Sequence, residues 1–419
     1  MSASVWRIRK LGAVASMHAR IGWQNLRTTE FLDSGDYYLI TGTDFKDGHV
    51  NFDTCHYVEK RRFDQDINIQ LQVGSILITK DGTLGKVAYI DKLNKPATLN
   101  AGVFNVIVRD PQTDEKYLFH LLKSPSLMNY ATIKSTGGTI KHLNQNVLVK
   151  FPVVLPKDIQ EQKHISDILS TCDTVIQNTQ KTIDKYKAIK QGMMQDLFTR
   201  GLTKDGKLRP SYKEAPELYK ESELGMIPKE WEVKRIDAIF TLKVGGDLDV
   251  SCYSTYKDEY HLYPIYSNGL ENKGLYGFTS TPIFKKESVT ITGRGTLGHA
   301  EYRNIDFDAI IRIVILEKTN IPINGFFISE YINYKIPFYF EVTSIPQLTA
   351  PSVGASKVIY PTIINEQIAI ENRLSSIDST IQKEEAILEK YKKIKTGLMA
   401  RLLTPPEDAE IIDETGETL

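Results

Sequence analysis

The sequence predicts an α+β protein in which two mixed α/β modules are separated by a pair of long coiled-coil helices. Three observations lead there. A heptad seam occurs twice, the two copies are nearly the same sequence, and the segment ahead of each copy repeats more faintly with a different length.

The first helix is expected from about Asp158 to Arg200. Its seam reads Ile165, Leu169, Cys172, Ile176, Thr179, Ile183, Tyr186, Lys190, Met193, Leu197, in steps of four and three without a break. That alternation is the signature of a coiled coil. The second seam follows at an offset of 205 residues: Ile370, Leu374, Ile377, Ile381, Glu384, Leu388, Tyr391, Lys395, Leu398, Leu402. KYKAIKQGMMQDLFT (Lys185–Thr199) aligns without a gap on KYKKIKTGLMARLLT (Lys390–Thr404), with nine of fifteen positions identical. Both copies open with Glu-Gln, at Glu161-Gln162 and Glu366-Gln367. A two-faced helix of this length cannot bury its seam alone, and its own repeat is the natural partner. At ~1.5 Å per residue each copy rises on the order of 50 Å, the length of a spacer.

The chain divides accordingly into 1–156, a first module; 157–205, the first helix; 206–360, a linker and second module; 361–405, the second helix; and 406–419, an acidic tail expected to be disordered. In the first module SILIT (Ser75–Thr79), VAYI (Val87–Ile90) and VFNVIV (Val103–Val108) read as strands bounded by Gly, Asp and Asn. Lys116–Ile133 reads as a helix broken near Pro125. Gly201–Glu230, rich in Gly, Pro and charge, reads as a linker. In the second module ESVTIT (Glu287–Thr292) and AIIRIVIL (Ala309–Leu316) read as strands, and Gly325–Tyr334 as a helix. The modules share an entry tryptophan (Trp6, Trp231). LITKDGTLGKVAYI (Leu77–Ile90) matches TITGRGTLGHAEYR (Thr290–Arg303), and KFPVVLP (Lys150–Pro156) parallels VIYPTII (Val358–Ile364). The module offsets vary while the helix offset does not. That is the pattern of a constant frame carrying two variable parts.

Composition narrows the function classes. No run of about 18 apolar residues could span a membrane, and the N-terminus MSASVWRIRK lacks an apolar signal core. Cys55, Cys172 and Cys252 are odd in number and widely spaced, as expected of reduced thiols in a cytoplasmic protein. The net charge is zero but unevenly spread. Residues 1–155 carry 19 Lys+Arg against 14 Asp+Glu, and residues 361–419 carry 7 against 12. A phosphate-binding surface must therefore be a local patch.

Two features carry candidate chemistry. Each Gly-Thr-Leu-Gly turn follows a strand and is rimmed by polar groups: Lys80, Thr83 and Lys86 in the first module, Arg294, Thr296 and His299 in the second. Glycines let backbone N–H groups and short hydroxyls approach an anion or a base edge. The plain alternative is a glycine-rich hairpin with solvated charges; recurrence favours a shared role. The second feature is the polar loop Ser135–Asn144, where Thr139, Lys141, His142 and Asn144 offer hydrogen bonds to phosphates and bases. Its counterpart, Pro346–Lys357, offers Gln347, Ser356 and Lys357.

Catalytic readings fail on spacing. Lys80–Lys86 lacks the first glycine of a Walker A loop, and Val87 stands where Ser or Thr should bind Mg²⁺. No G-x-G-x-x-G opens a helix after a strand, and no methyltransferase Asn/Asp-Pro-Pro-aromatic tetrad occurs. Glu161-Gln162-Lys163 imitates a nuclease pair, but its place at a helix start suits helix-entry chemistry. His49, Cys55 and His56 lack zinc spacing, so no metal site is expected.

The order of parts, the Lys-Tyr-Lys-x-Ile-Lys-x-Gly-x-Met stretch, the linker KDGKLRP (Lys204–Pro210) and the entry LGMIPKEW (Leu224–Trp231) together resemble the specificity subunit of a type I restriction–modification system, over nearly the whole chain. The resemblance implies two target-recognition domains, each reading half of a split duplex-DNA site, on an antiparallel helical spacer with pseudo-two-fold symmetry. It implies two modification subunits and restriction subunits as partners, with S-adenosylmethionine, ATP and Mg²⁺ on those partners and no cofactor or catalysis here. The second module departs from the first: APSVGAS (Ala350–Ser356) stands in place of its Thr-Gly-Gly-Thr loop, so contacts cannot be copied across. The competing class is a non-catalytic coiled-coil scaffold joining two protein-binding modules.

Overall fold

A computed structural model describes residues 5–22, 25–134, 142–336, 338, 347–413, 415 and 417–418. The chain forms two compact units, residues 1–181 with 385–419, and residues 182–384. Two long helices, Ile159–Thr199 and Ile364–Leu402, each contribute one end to each unit. The first helix starts where the Asp158 carboxylate accepts the Gln160 N–H (2.9 Å). It stops at Gly201, whose φ of +64° is the left-handed conformation that ends helices. A side chain there would also collide with Glu366 and Trp231.

Within the first unit, Ile165 and Leu169 share a core with Leu398, Met399, Leu402 and Leu403. Within the second, Met194, Leu197 and Phe198 share a core with Ile370 and Leu374. Rising numbers on one helix meet falling numbers on the other, so the pairing in each unit is antiparallel. Two polar seam positions are repeated as ion pairs. Lys395 pairs with Asp173 in the first unit, and Lys190 with Asp378 (2.9 Å) in the second. Asp378 and Lys395 are the repeats of Asp173 and Lys190 at the common offset. Burial works against the charge on Lys190, and Glu330 and Asp378 more than offset it, so its pKa stands above the ordinary value.

The sheets repeat as well. In the first unit Ala15–Ala19, Val103–Val108, Ile76–Thr79 and Val87–Tyr89 lie side by side in that order, extended by His49–Val50 and Phe45–Lys46. In the second the order is Phe240–Val244, Val314–Lys318, Ser288–Ile291, Ala300–Arg303. A further sheet places Tyr37–Ile40 antiparallel to His56–Val58 and parallel to Ala97–Leu99. Tyr263–Tyr266 does the same with Leu275–Thr279 and Asp308–Ala309. Buried Trp6 and Trp231 open strands that run antiparallel to Pro152–Pro156 and Lys357–Pro361, the strands leading into the long helices.

The paired Glu-Gln at each helix entry joins helix to module. The Gln162 amide donates to the Pro156 (2.8 Å) and Gln112 (3.0 Å) carbonyls and accepts the Asp114 N–H (2.9 Å). Gln367 donates to Pro361 (2.7 Å) and Pro322 (3.3 Å) and accepts the Asn324 N–H (2.8 Å). Asp114 and Asn324 in turn cap the helices Glu115–Lys123 and Gly325–Lys335. A buried primary amide so satisfied locks the angle between frame and module.

Three segments differ from expectation. The linker is folded onto its unit. Arg209 meets Glu366 (3.2 Å), which also accepts the Trp231 indole N–H (3.1 Å) and the Leu202 N–H (2.8 Å), and Tyr219–Ser222 and Gly225–Pro228 form a hairpin. Its charge is thus partly a buried pair and not a solvated face. The tail is not wholly disordered: Glu410–Ile412 pairs parallel with Val5–Arg7, and Ile411 packs on the core, so two apolar residues among the acids anchor it. The run Ala309–Leu316 is not one strand, because Ile311 and Arg312 adopt φ of +55° and +57°.

Candidate nucleic-acid interface

Each unit builds the same turn from the same hydrogen bonds. Gly85 N–H donates to the Thr79 carbonyl (3.0 Å), the Lys86 N–H donates to the Thr79 hydroxyl (2.9 Å), and that hydroxyl donates to the Thr83 carbonyl. In the second unit Gly298 donates to Thr292 (2.9 Å), His299 N–H to the Thr292 hydroxyl (2.9 Å), and that hydroxyl to the Thr296 carbonyl. Gly82, Gly85, Gly295 and Gly298 all have φ near +70° to +81°, which a side chain would resist. The polar loop is tied to the turn in both: Leu143 N–H donates to the Lys80 carbonyl (3.0 Å), and Leu348 N–H to Gly293 (2.9 Å). Sequence reading named turn and loop as separate features and missed both their tie and the locking threonines; the Ile-Thr shared by both copies was the available signal for the threonines.

In the first unit Thr83 and Lys86 are exposed at the turn, and Lys80 is half-buried with its ammonium 5.5 Å from the Phe104 ring centre. His142 is exposed and lies 2.5 Å from the Asp81 carboxylate. Asn144 caps the turn Gln145–Leu148 by accepting the Asn146 N–H (2.9 Å), so its amide nitrogen is what remains to offer. Thr139 and Lys141 lie outside the described residues.

In the second unit Arg294 and Thr296 are exposed on the turn. His299 faces Glu301 (3.2 Å) and lines a larger cavity of about 960 Å³ with Lys190, Arg303, Glu330 and Asp378. That lining mixes both signs and is a poor match for a polyanion. Arg294 and Gln347 line a separate cleft of about 440 Å³. Ser356 and Lys357 are not part of it. Ser356 donates to the Ser352 carbonyl (3.1 Å), Lys357 pairs with Glu223, and both line a depression with Leu224 and Tyr331.

The cleft has one charged member that sequence reading passed over, Arg312. It follows Ile311 in the left-handed corner, a conformation costing on the order of 1 kcal/mol or more per residue. The corner is held from three sides. Ile311 N–H donates to Gly246 (3.0 Å), Gly245 N–H donates to Ile313 (2.8 Å), and the Asn268 amide donates to the Ile311 carbonyl (2.7 Å). A Cβ on Gly245 would strike Ala309, so only glycine allows this approach. The Asn268 oxygen also accepts the N–H groups of Gly293 (2.7 Å) and Arg294 (3.3 Å), so one side chain staples turn to corner.

The frame's seam is placed as follows. Ile165, Leu169, Ile183, Leu197, Ile370, Leu374, Ile381 and Leu388 are buried, Ile176 and Leu402 half-buried. Tyr391 is exposed, at 36%. Among the described residues no cluster of His, Cys, Asp or Glu could hold a metal, and no helix is long and apolar enough to cross a membrane.

Comparison with known proteins gives a consistent answer. The family described as the type I restriction modification DNA specificity domain matches residues 4–188 and again 228–393. A relative from Methanocaldococcus jannaschii, provisionally named the MjaX specificity subunit of a type I restriction enzyme, is 25% identical over 418 residues, covering 95% of this chain and 93% of the relative. The MjaVIII specificity subunit of the same organism is 26% identical over 340 residues, 74% of this chain and 75% of its own. The crystal structure of the type I restriction–modification S subunit from M. genitalium superposes with a TM-score of 0.64 at 19% identity, over 97% of this chain and 98% of that one, and so shares the fold. With the family matched twice over most of its length, the chain belongs to the specificity subunits of type I restriction–modification systems.

Proposed function

We propose that this chain reads a bipartite duplex-DNA site, one half with each unit, and assembles two modification subunits and the restriction subunits on it in the cytoplasm. The observation that carries the proposal is the duplicated turn-and-loop apparatus, built from matched hydrogen bonds on one repeated helical frame. Family membership makes the chain a non-catalytic recognition subunit. Methyl transfer, ATP hydrolysis and cleavage, with their S-adenosylmethionine, ATP and Mg²⁺, fall to the partners.

The physics of the division is simple. Exposed cations at the turns set position on the phosphates, and side chains reaching base edges specify. Within each unit the helices pair antiparallel, and the repeated frame and module suit a split target whose halves are read in the same manner.

The test is binding by the complex of this chain with its modification subunits, measured on cognate and random duplexes over a salt series. Lys86→Ala should weaken both similarly and lower the salt slope by about one. His142→Ala should cost ~1–3 kcal/mol on the cognate site and less elsewhere. Equal losses for both variants on both duplexes contradict this division. Absence of any DNA binding by the wild-type complex favours the protein-scaffold reading.

A further inference from the structure

We propose that Arg312 is a specificity-determining residue of the second unit, reading the guanine of a G·C pair in its half-site through the major groove. The proposal rests on the DNA-reading function above and adds a residue and a base to it.

Four observations support it. Arg312 is exposed and lines the cleft that Arg294 and Gln347 line, beside the turn and loop. Neither the Arg312 nor the Arg294 guanidinium has a hydrogen bond or ion pair among the described residues. Arg312 sits on two successive left-handed, non-glycine residues, one of them β-branched isoleucine. Such a conformation persists only where the surroundings over-determine it, and strain of this kind concentrates at functional sites. Finally, the corner is specific to this unit. Phe104 pairs with Ile78 and Val314 with Ile291 at equivalent places in the two sheets, so two residues earlier Gly102 is the counterpart of Arg312. Core packing at the equivalent place in the first unit therefore calls for no side chain.

The geometry also divides labour between the arginines. Arg294 stands on an exposed glycine turn, its N–H also held by Asn268, where a cation serves a phosphate. Arg312 stands on a corner whose backbone is fixed by Gly245, Gly246 and Asn268, so the point from which its side chain leaves is set. Base readout favours a side chain that starts from a fixed point, and the guanidinium fork matches guanine O6 and N7 in two parallel hydrogen bonds. Asn268 is then a positioning residue, acting through the corner.

The experiment is methylome sequencing of cells carrying the full system, with binding of the purified complex to duplexes varied one base pair at a time. Arg312→Ala and Arg312→Gly should relax one G·C position in the second unit's half-site by on the order of 10- to 100-fold. The other half-site should be unchanged. Melting temperature should hold, and rise for Arg312→Gly, because glycine relieves the left-handed strain. Asn268→Ala should relax the same position and add nothing further in an Arg312→Ala background. A loss spread evenly over all sequences with a lower salt slope overturns the assignment in favour of a phosphate contact. Unchanged preference overturns it outright. Absence of any sequence preference in the wild-type complex overturns the underlying reading instead.

Discussion

His120 and Asp173 show how single residues tie the frame to its module. His120 is fully buried, its Nε2 3.0 Å from the Ser170 hydroxyl and its Nδ1 4.0 Å from Asp173. Burial pushes its pKa down to about 3, against the pull of Asp173 and with that of Lys395, Lys123 and Lys116. Between that value and the ordinary 6.5 the unfolded chain binds a proton that the folded chain refuses. Stability is therefore full above the ordinary value and falls as pH drops through this window. Burial resists the charge on Asp173, but Lys123 and Lys395 outweigh it and hold the carboxyl below its usual range. Its contribution is full above the unfolded value and fades at lower pH still. His120→Asn should flatten the fall in urea stability between about pH 6.5 and 4, measured by denaturation across that range. An unchanged slope would show that His120 is charged in the folded protein.

At the scale of the element, the helices were readable from sequence because a heptad is a local pattern that nearest neighbours on the chain display. Ile183 and Leu374, chosen from that pattern, are buried. Ile183→Pro should cost ~3 kcal/mol or more by breaking the helix. Leu374→Asp should do comparable damage by leaving a carboxylate unpaired in the core. Far-ultraviolet circular dichroism should show lost helix, and binding to the split site should collapse. Intact helix content with intact binding would mean that the seam bears no load. Other elements were hidden for physical reasons. Arg209 reads as one charge in a charged linker because its partner Glu366 lies 157 residues on. Glu366→Gln should destabilise the protein by ~3–5 kcal/mol, since it leaves buried Arg209 only the exposed Glu230 carboxylate, 3.7 Å away, as counter-charge. A loss below 1 kcal/mol in urea denaturation would contradict that. The corner at Ile311–Arg312 was invisible because nothing local marks an isoleucine for left-handed backbone; Gly245 and Asn268, which force it, are distant in sequence. The interrupted apolar run and the Gly-Gly pair were its one faint signal.

For the whole molecule, the duplication was legible because both frames of comparison, helix and module, keep their landmarks: the tryptophan, the glycine turn and the Glu-Gln entry. The constancy of the helices and the divergence of Gly102 from Arg312 and of Asp81 from Arg294 argue that frame and readers are separate. An added heptad in the first helix should lengthen the frame by ~10 Å, about three base pairs, and widen the gap alone. The most direct test replaces residues 6–151 with the corresponding module of a relative and sequences the methylome of cells carrying the chimaera. Independent readers on a fixed frame predict that one half of the target changes while the other half and the gap persist. A swap that rewrites both halves, or alters the gap, contradicts the account.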